Sequence, residues 1–340
     1  MNKPKTSSLI KCSLLFILLC IMTIYIMHRQ FDFTEVISSV RAAGVLWLLP
    51  AIVAIAMFFV CEGVNIGRCL RLSGISTTIT DKLMYSLTGF FFSSITPSAS
   101  GGQPMQLYLM HRKGISLAHG SLALLTELMS FQAAASLLAL AGVAFGALSS
   151  QKSASFTAFM AAGIGINTVI LLFIAFIVFS PSAIKNTAAP IASSLTRLFP
   201  SKASHLKIKF FRGLAEYRHA SVTIRKHPIE LLKMFLTSIL QLLCYFSITC
   251  FVCKSLGAAD VSWLKLTLMN AALFSSVSAW PLPGAVGVTE GGFSLLFENT
   301  ISPELLGSVL VLIRLINFGL PLLISGISLL RFMPYHSARR

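Results

Sequence analysis

Residues Trp280 to Gly292 read WPLPGAVGVTEGG and lie between two strongly apolar stretches of the chain. Prolines, glycines and a carboxylate interrupt a segment that is otherwise apolar enough to be a membrane helix. A second interruption, SITPSASGGQP, runs from Ser94 to Pro104. Broken backbone at membrane depth is tolerated only where it is buried in protein or lines a cavity. The two stretches therefore predict two helical hairpins that enter the membrane and turn back.

The composition indicates that most of the chain lies in lipid. Of its 340 residues, 55% are hydrophobic and 11% are charged, whereas a soluble chain carries about a quarter charged residues. One membrane crossing needs about 20 predominantly apolar residues. We therefore predict an all-α polytopic membrane protein with about six full spans. The predicted spans are Leu9–Met27, Val45–Cys61, Leu117–Leu148, Phe156–Ser180, Ile229–Cys253 and Leu305–Leu330.

The distribution of charge predicts how the two interrupted segments, Leu83–Met110 and Val261–Phe297, are inserted. Cytoplasmic loops of membrane proteins are enriched in Lys and Arg. If both segments return to the side from which they enter, most of the 27 Lys and Arg residues face the cytoplasm. We therefore expect cytoplasmic termini and two oppositely inserted re-entrant hairpins that meet near mid-membrane. Such an inverted-repeat-like arrangement is typical of transport sites.

We interpret residues 1–340 as a single transmembrane domain, within which residues 181–228 form a basic cytoplasmic or interfacial segment. This segment mixes Lys and Arg with Leu, Phe and Ile, which suits helices on an anionic membrane surface. A net charge of +16 also raises nucleic acid as a partner. We expect none, because the charges stand where the topology already requires them.

Three ionisable residues in apolar surroundings mark the candidate site: Glu127, Glu290 and Arg314. A charge at the centre of a membrane helix costs at least about 2.5–3.5 kcal/mol, so it faces a partner or a wet cavity. We predict that the three line one polar cavity. The structural alternative is an ion pair between Glu127 and Arg314 that only fixes helix packing.

The broken helices also predict a site for an anion, because amides at the start of a helix have no intrahelical acceptor. A phosphate held by these amides, with Arg314 as counter-charge, fits the pattern. The glutamates have two open roles, contact with a head-group amine or uptake of a proton. The predicted substrate-binding residues are Gly101, Gly102, Gln103, Pro104, Glu127, Pro283, Gly284, Gly287, Glu290 and Arg314.

The motifs of soluble enzymes are absent from the sequence: it has no H-E-x-x-H, no G-x-S-x-G, no P-loop and no dinucleotide-binding fingerprint. Cys250 and Cys253 form a C-x-x-C at the end of an apolar stretch, where small buried hydrophobes are the simpler interpretation. We expect no catalytic residue, no cofactor and no metal site.

Four motifs in order carry a family resemblance: TPSASGGQPMQLYLMHRKG, LLTELM, PLPGAVGVTEGGFSLLF and LIRLINFGLPLLISG. Together they resemble the lysylphosphatidylglycerol synthase transmembrane-region family of flippase-like domains. The chain departs from the family pattern at Gln103, where an acidic residue is common, and at Ala285, which replaces a glycine. The resemblance covers nearly the whole chain. The resemblance does not extend to the C-terminal synthase domain of the bifunctional phosphatidylglycerol lysyltransferases, and we expect the protein to act without that domain.

The resemblance implies translocation of a phospholipid or lipid-linked head-group, aminoacylated phosphatidylglycerol among them, across the bacterial inner membrane. Two alternatives remain open. The chain could serve as the membrane component of a phosphatidylglycerol lysyltransferase that acts with a separate synthase and confers resistance to cationic peptides. It could also be a membrane scaffold for an envelope glycosyltransferase. The expected partners are membrane lipids, with such an enzyme or a second copy of the chain as further candidates.

Overall fold

The computed structural model describes residues 37–38, 41, 43–96, 99–145, 154–180, 203–258, 261–278, 285 and 287–335, and its regular elements there are helices. A π-helical turn, Leu315–Gly319, joins the last two α-helices. The α-helices are α1 Val45–Leu72, α2 Ile79–Ile95, α3 Gly102–Arg112, α4 Leu117–Ala144, α5 Ala154–Phe179, α6 Ala203–Arg225, α7 Pro228–Ser255, α8 Trp263–Val277, α9 Val288–Phe297, α10 Pro303–Arg314 and α11 Leu320–Tyr335.

The predicted all-helical membrane fold is confirmed. Five described segments are long and apolar enough to cross a membrane: α1, α4, α5, α7 and the run Pro303–Leu330. They coincide with five of the six predicted spans, and the sixth, Leu9–Met27, lies outside the described residues. Helix α1 continues to Leu72, well beyond the predicted end of its span at Cys61, because Ser73 and the left-handed Gly74 first end the helix there.

The first interrupted segment forms an antiparallel helix pair, α2 and α3, which we call the first hairpin. At its base Lys113 pairs with Asp81, and further in Gln106 Nε2 donates to the backbone oxygen of Tyr85 at 3.1 Å. Near its tip the backbone of Gly102 lies against Ser93. Early residues of α2 therefore contact late residues of α3, and late residues of α2 contact early residues of α3. The chain consequently enters and leaves this hairpin on the same side.

The second interrupted segment, α8 and α9, forms the second hairpin in the same way. Gly292 packs against Leu273 near the tip, and Thr300 just beyond α9 donates to Met269 Sδ at 3.8 Å. This pairing is antiparallel as well. The tip itself, residues 279–284, lies outside the described part of the chain, as do Pro97 and Ser98 of the first tip.

The long helices α1 and α7 establish that the hairpins insert from opposite sides. Gly44 N–H, just before α1, donates to Ser255 O at the end of α7 at 2.7 Å, whereas Asn65 Nδ2 contacts Ser238 Oγ at 3.0 Å. The two helices are therefore antiparallel. Since the first hairpin follows the end of α1 and the second follows the end of α7, the prediction of opposite insertion is confirmed.

Helix α6 is the described part of the basic segment 181–228, and it packs against the end of α5. Ser221 Oγ donates to Val178 O at 2.6 Å, and Arg225 Nη1 donates to Phe179 O at 3.0 Å. These donors satisfy carbonyl groups that the last turn of a helix leaves without intrahelical partners. Ala220, Ser221 and Ile224 form its buried face. Contact of its opposite face with anionic lipid stays a prediction.

Candidate functional site

Two polar clusters lie inside the helical bundle, one beside each hairpin. The second hairpin contributes Glu290, on the first turn of α9, whose surface is 0% exposed. Its Oε1 accepts a hydrogen bond from Arg314 Nε at 2.8 Å and lies 2.6 Å from Arg314 Nη2. Its Oε2 accepts the N–H of Gly287 at 2.6 Å. The Glu290 carboxylate is therefore held by a cation and by the first amide of its own helix.

This geometry explains why the chain is broken before α9. Gly287 adopts a φ of 85°, in the left-handed region that only glycine enters freely, and this turn aims its N–H at Glu290. The start of a helix attracts negative charge because its amides lack intrahelical acceptors. In this conformation Glu290 itself occupies the anion position that the sequence analysis assigned to a phosphate. Pro283 and Gly284, two predicted site residues of the same run, lie outside the described residues.

Arg314 lies where the α-helix α10 changes into a π-helical turn. It is the last residue of α10, and the π-helical turn begins at Leu315. Its guanidinium carbon lies 5.8 Å from the centre of the Phe318 ring, a cation–π distance. Its charge also acts on Tyr245 of α7. The Arg314 side chain is 15% exposed, so the guanidinium is not entirely enclosed.

The glycines of the first hairpin are packing positions. Gly101 N–H donates to Thr96 Oγ1 at 2.8 Å, which closes the tip. A side chain at Gly102 would overlap Ser93 and the backbone of Gly89. Gln103 and Pro104, by contrast, are exposed at the start of α3. Direct contact of these four predicted site residues with a substrate stays a prediction.

The first polar cluster surrounds Glu62 of α1. Ser86 Oγ of α2 donates to Glu62 Oε2 at 2.6 Å, and Gln106 Nε2 of α3 donates to Oε1 at 3.0 Å. Gln106 reaches Glu62 across Gly89, where a Cβ would overlap the amide group. Glu127 of α4 lies at the same level, because Phe131, one helical turn from Glu127, contacts Phe58, one turn from Glu62, with 6.3 Å between ring centroids. Two carboxyl groups therefore lie near each other inside the bundle, within electrostatic reach.

The structure therefore divides the three ionisable residues that the sequence analysis placed in one cavity. Arg314 pairs with Glu290, and no ion pair in the described part of the chain joins Arg314 to Glu127. The alternative of a Glu127–Arg314 ion pair is wrong for this conformation. A single continuous cavity that reaches from Glu127 to Arg314 stays a prediction.

Each hairpin, with the long helix before it and the helix after it, forms one half of the described bundle. The two clusters occupy equivalent places in these two halves. Glu62 stands as far from the first residue of α1 as Tyr245 stands from the first residue of α7. Glu127 and Arg314 correspond to within one residue on the helices that follow each hairpin. Since α1 and α7 are antiparallel, Glu62 lies level with Gln241. Gln241 is four residues from Tyr245, so the clusters lie about 6 Å apart in depth at a rise of about 1.5 Å per residue.

An aromatic ring cluster lies between them, formed by Phe58, Phe131, Phe274 and Tyr245. Their centroids follow one another at 6.3, 6.0, 6.0 and 5.2 Å and so close a circle of four rings from four helices. Phe58 stands one helical turn from Glu62, and Phe131 stands one turn from Glu127. The circle therefore lies one helical turn from the glutamate pair and includes Tyr245 of the second cluster.

Glu62 and Gln106 were not among the predicted site residues. Glu62 stands directly after the predicted end of a span, in CEGVNIG. The spacing of Gly63 and Gly67 is the available signal, because small residues four apart are typical of close helix packing inside a membrane. Both glycines indeed lie against Lys82 of α2. If the predicted span Val45–Cys61 is extended to the next residues that end a helix, Ser73 and Gly74, Glu62 lies inside the membrane.

Comparison with known proteins agrees with this architecture. A family described as the lysylphosphatidylglycerol synthase TM region matches residues 10–325. The chain belongs to this family. It is similar to a UPF0104 membrane protein of Archaeoglobus fulgidus, with 23% identity over 299 residues that cover 86% of this chain and 88% of the relative. A UPF0104 membrane protein of Pyrococcus horikoshii is 29% identical over 146 residues, which cover 42% of this chain and 43% of the relative.

The family match confirms the resemblance carried by the four sequence motifs, and all four lie within the matched residues. It also identifies the chain as a membrane protein. At Ala285, which replaces a glycine of the family pattern, the structure supplies a physical reason for the glycine. The φ of Ala285 is 50°, a left-handed conformation that costs an L-residue about 1–2 kcal/mol.

Proposed function

We propose that the protein translocates a phospholipid or a lipid-linked head-group across the bacterial inner membrane. The observation that carries this proposal is the buried Arg314–Glu290 pair at the start of a re-entrant helix. A head-group that crosses hydrocarbon must exchange its water for fixed donors, because an unpaired buried charge is far too costly. Arg314 offers a planar fork that matches a phosphate, and α9 offers amides at its start.

In the proposed mechanism Glu290 acts as an intramolecular stand-in for the phosphate. Without lipid its carboxylate neutralises Arg314 and accepts the N–H of Gly287. A lipid phosphate then displaces the carboxylate and takes over both contacts. The guanidinium therefore keeps an anionic partner throughout, which avoids the large penalty of an uncompensated buried charge. The partial exposure of Arg314 supports access by a ligand.

The distribution of charge supports the proposed orientation. More of the described Lys and Arg residues lie at the end of the bundle where α1 ends and α7 begins than at the opposite end. By the positive-inside rule the crowded end is cytoplasmic. It carries Arg68, Arg71, Lys82, Arg112, Lys113, Lys226 and Lys233, whereas Arg41, Lys254 and Lys265 stand at the opposite end.

The test is a leaflet-exchange assay on purified protein in liposomes. Acyl-labelled fluorescent phosphatidylglycerol, phosphatidylethanolamine and a phosphate-free glycolipid serve as probes, and a membrane-impermeant quencher reports the outer-leaflet fraction. We expect exchange of the two phospholipids and at least a tenfold slower rate in Arg314→Gln. Arg68→Gln is the matched control, since Arg68 bonds Asn65 and Thr237 at the end of the bundle. Equal rates for all three probes, unaffected by Arg314→Gln, would refute the phosphate site.

The family match favours a second candidate, the membrane component of a phosphatidylglycerol lysyltransferase that acts with a separate synthase. Its test is the amount of lysyl-lipid in cells that express a soluble synthase with or without this chain. Lysyl-lipid that forms only when both are present supports this role. Lysyl-lipid that forms equally without the chain, but stays in the inner leaflet, supports translocation alone.

A further inference from the structure

The Glu62–Glu127 pair has no part in the phosphate site, and among the residues that the structure describes no cation forms an ion pair with either glutamate. The ion pairs of the described residues join Arg68 and Lys233 to Glu230, Lys113 to Asp81 and Arg314 to Glu290. Both oxygens of Glu62 instead accept hydrogen bonds from neutral donors, Ser86 and Gln106. Glu62 is therefore held by the first hairpin without loss of its charge.

Glu127 has the opposite environment. It is 8% exposed, and within the described ranges it has neither a hydrogen bond nor an ion pair. Glu127 is buried at the level of Glu62, since the rings of Phe131 and Phe58 contact each other one turn away, and the two carboxyl groups are within electrostatic reach. Two carboxylates that repel each other inside a low-dielectric bundle cannot both stay ionised without a compensating cation.

A third acceptor faces the same level of the bundle. Gln241 of α7 is 1% exposed, and its Oε1 has no hydrogen-bond partner among the described residues. Ser238 and Tyr245, three residues before and four after it, both contact α1, at Asn65 and at Phe58. Gln241 therefore lies on the α1-facing stripe of α7, level with Glu62. A buried acceptor without a donor is rare, and this one lies at the level of Glu62.

The other titratable groups near the pair do not supply the missing positive charge. On the cytoplasmic side of the pair, Arg68 is engaged by Asn65, Thr237 and Glu230, and the Lys82 stem lies across Gly67. The titratable side chains of the packed helices that lie nearest the level of the pair are thiols and phenols, which carry no positive charge. They are Cys61, Cys69, Tyr85, Cys244 and Tyr245.

We propose that Glu62 and Glu127 form a proton-binding carboxyl pair that holds one proton between them. The proton converts one carboxylate into an O–H donor near Gln241 Oε1, an acceptor that has no donor among the described residues. It is taken from water onto a carboxylate oxygen and later returned to water, so no other bond changes. Glu62 is partly exposed although helices surround it, which gives the proton an entry point.

The first hairpin links this proton to movement of the protein. Ser86 on α2 and Gln106 on α3 both stabilise an ionised Glu62, so a shift of the hairpin that breaks their bonds raises the affinity of the pair for its proton. Through this linkage a proton gradient can drive the hairpin between two positions. Coupling to lipid rests on the proposed function, whereas the proton site itself does not.

The test of the proton site needs no lipid substrate. Infrared difference spectra of the purified protein between acid and alkaline buffer report the carbonyl band of a buried protonated carboxylic acid. We expect this band in the wild type, its loss in Glu127→Gln and in Glu62→Gln, and its displacement in Glu127→Asp. Glu298→Gln, at an exposed position directly after α9, is the control and keeps the band. Circular dichroism verifies that each variant is folded.

The proposal is overturned if the band persists in both glutamine variants. It is also overturned if the wild type shows no band and sodium chloride alone stabilises the protein, because the pair then binds a sodium ion instead of a proton. Coupling is measured separately in liposomes, where an imposed pH gradient should accelerate lipid exchange by wild type but not by Glu127→Gln. If lipid exchange is absent altogether, the proposed function fails while the infrared band still decides the proton site.

Discussion

The contact between Gly89 and Gln106 allows a quantitative prediction about the first polar cluster. An alanine at position 89 places its Cβ on the Gln106 amide group. Gln106 must then leave Glu62 and the Tyr85 carbonyl, to which it donates at 3.0 and 3.1 Å. A hydrogen bond to a charged group contributes about 1.5–3 kcal/mol, and one between neutral groups contributes about 0.5–1.5 kcal/mol. The expected loss is therefore about 2–4 kcal/mol.

Alanine also has a higher helix propensity than glycine by up to about 1 kcal/mol, so the net destabilisation by Gly89→Ala is about 1–3 kcal/mol. Gly165→Ala is the matched control. Gly165 is an exposed position inside α5, and a Cβ there would meet no atom within 4 Å. This control gains the propensity term alone. The unfolding free energies of the two variants should consequently differ by about 2–4 kcal/mol.

Thermal unfolding in detergent, followed with a thiol-reactive dye, measures this difference. The described cysteines are free, and Cys61, Cys69, Cys250 and Cys253 are buried, so they react on unfolding. Combining Gly89→Ala with Gln106→Ala should be no worse than Gln106→Ala alone, because the overlap then disappears and the two effects cease to add. Equal unfolding temperatures for Gly89→Ala and Gly165→Ala would show that Gln106 does not bridge the hairpin to Glu62.

Three further predictions follow from the second hairpin and the orientation. Arg314→Gln and Glu290→Gln should each destabilise by about 3 kcal/mol, and the double variant by less, because each single change leaves a buried charge without its partner; single variants as stable as wild type contradict this. Ala285→Gly should raise the unfolding free energy by about 0.5–1 kcal/mol by relieving a left-handed alanine, and an unchanged melting temperature argues against strain there. In a background without native cysteines, a cysteine at residue 150 should react only from outside and one at residue 202 only from the cytoplasm.

The sequence was sufficient to predict the architecture because the hydrophobic effect and charge act over whole segments. Apolar runs about 20 residues long predict spans, and proline with glycine predicts where a helix must break. Opposite insertion of the hairpins followed from the distribution of Lys and Arg. The structure agrees at each of these levels, from the ends of α2 and α3 to the antiparallel pairing of α1 with α7.

The partners of the charged residues could not be predicted in the same way. Glu127 and Glu290 both stand at mid-membrane in the sequence, so either one is a plausible partner for Arg314. The choice depends on the depth of each residue, which is set by helix register across the bundle. Register in turn depends on packing contacts of single residues, such as Gly63 against Lys82. The spacing of Gly63 and Gly67 indicates close helix packing, but it identifies neither the partner helix nor its register.

The two halves share a backbone plan but carry opposite charge chemistry. Each hairpin tip places an alanine with positive φ, Ala99 or Ala285, two residues before the glycine that starts the short helix. The equivalent positions behind these tips hold an acid, Glu127, in one half and a base, Arg314, in the other. If the protein alternates between two inverted states, each state exposes one half. A proton would then enter at the acidic half and a phosphate at the basic half, so opposite charges at equivalent positions allow the two ligands to be exchanged across one membrane.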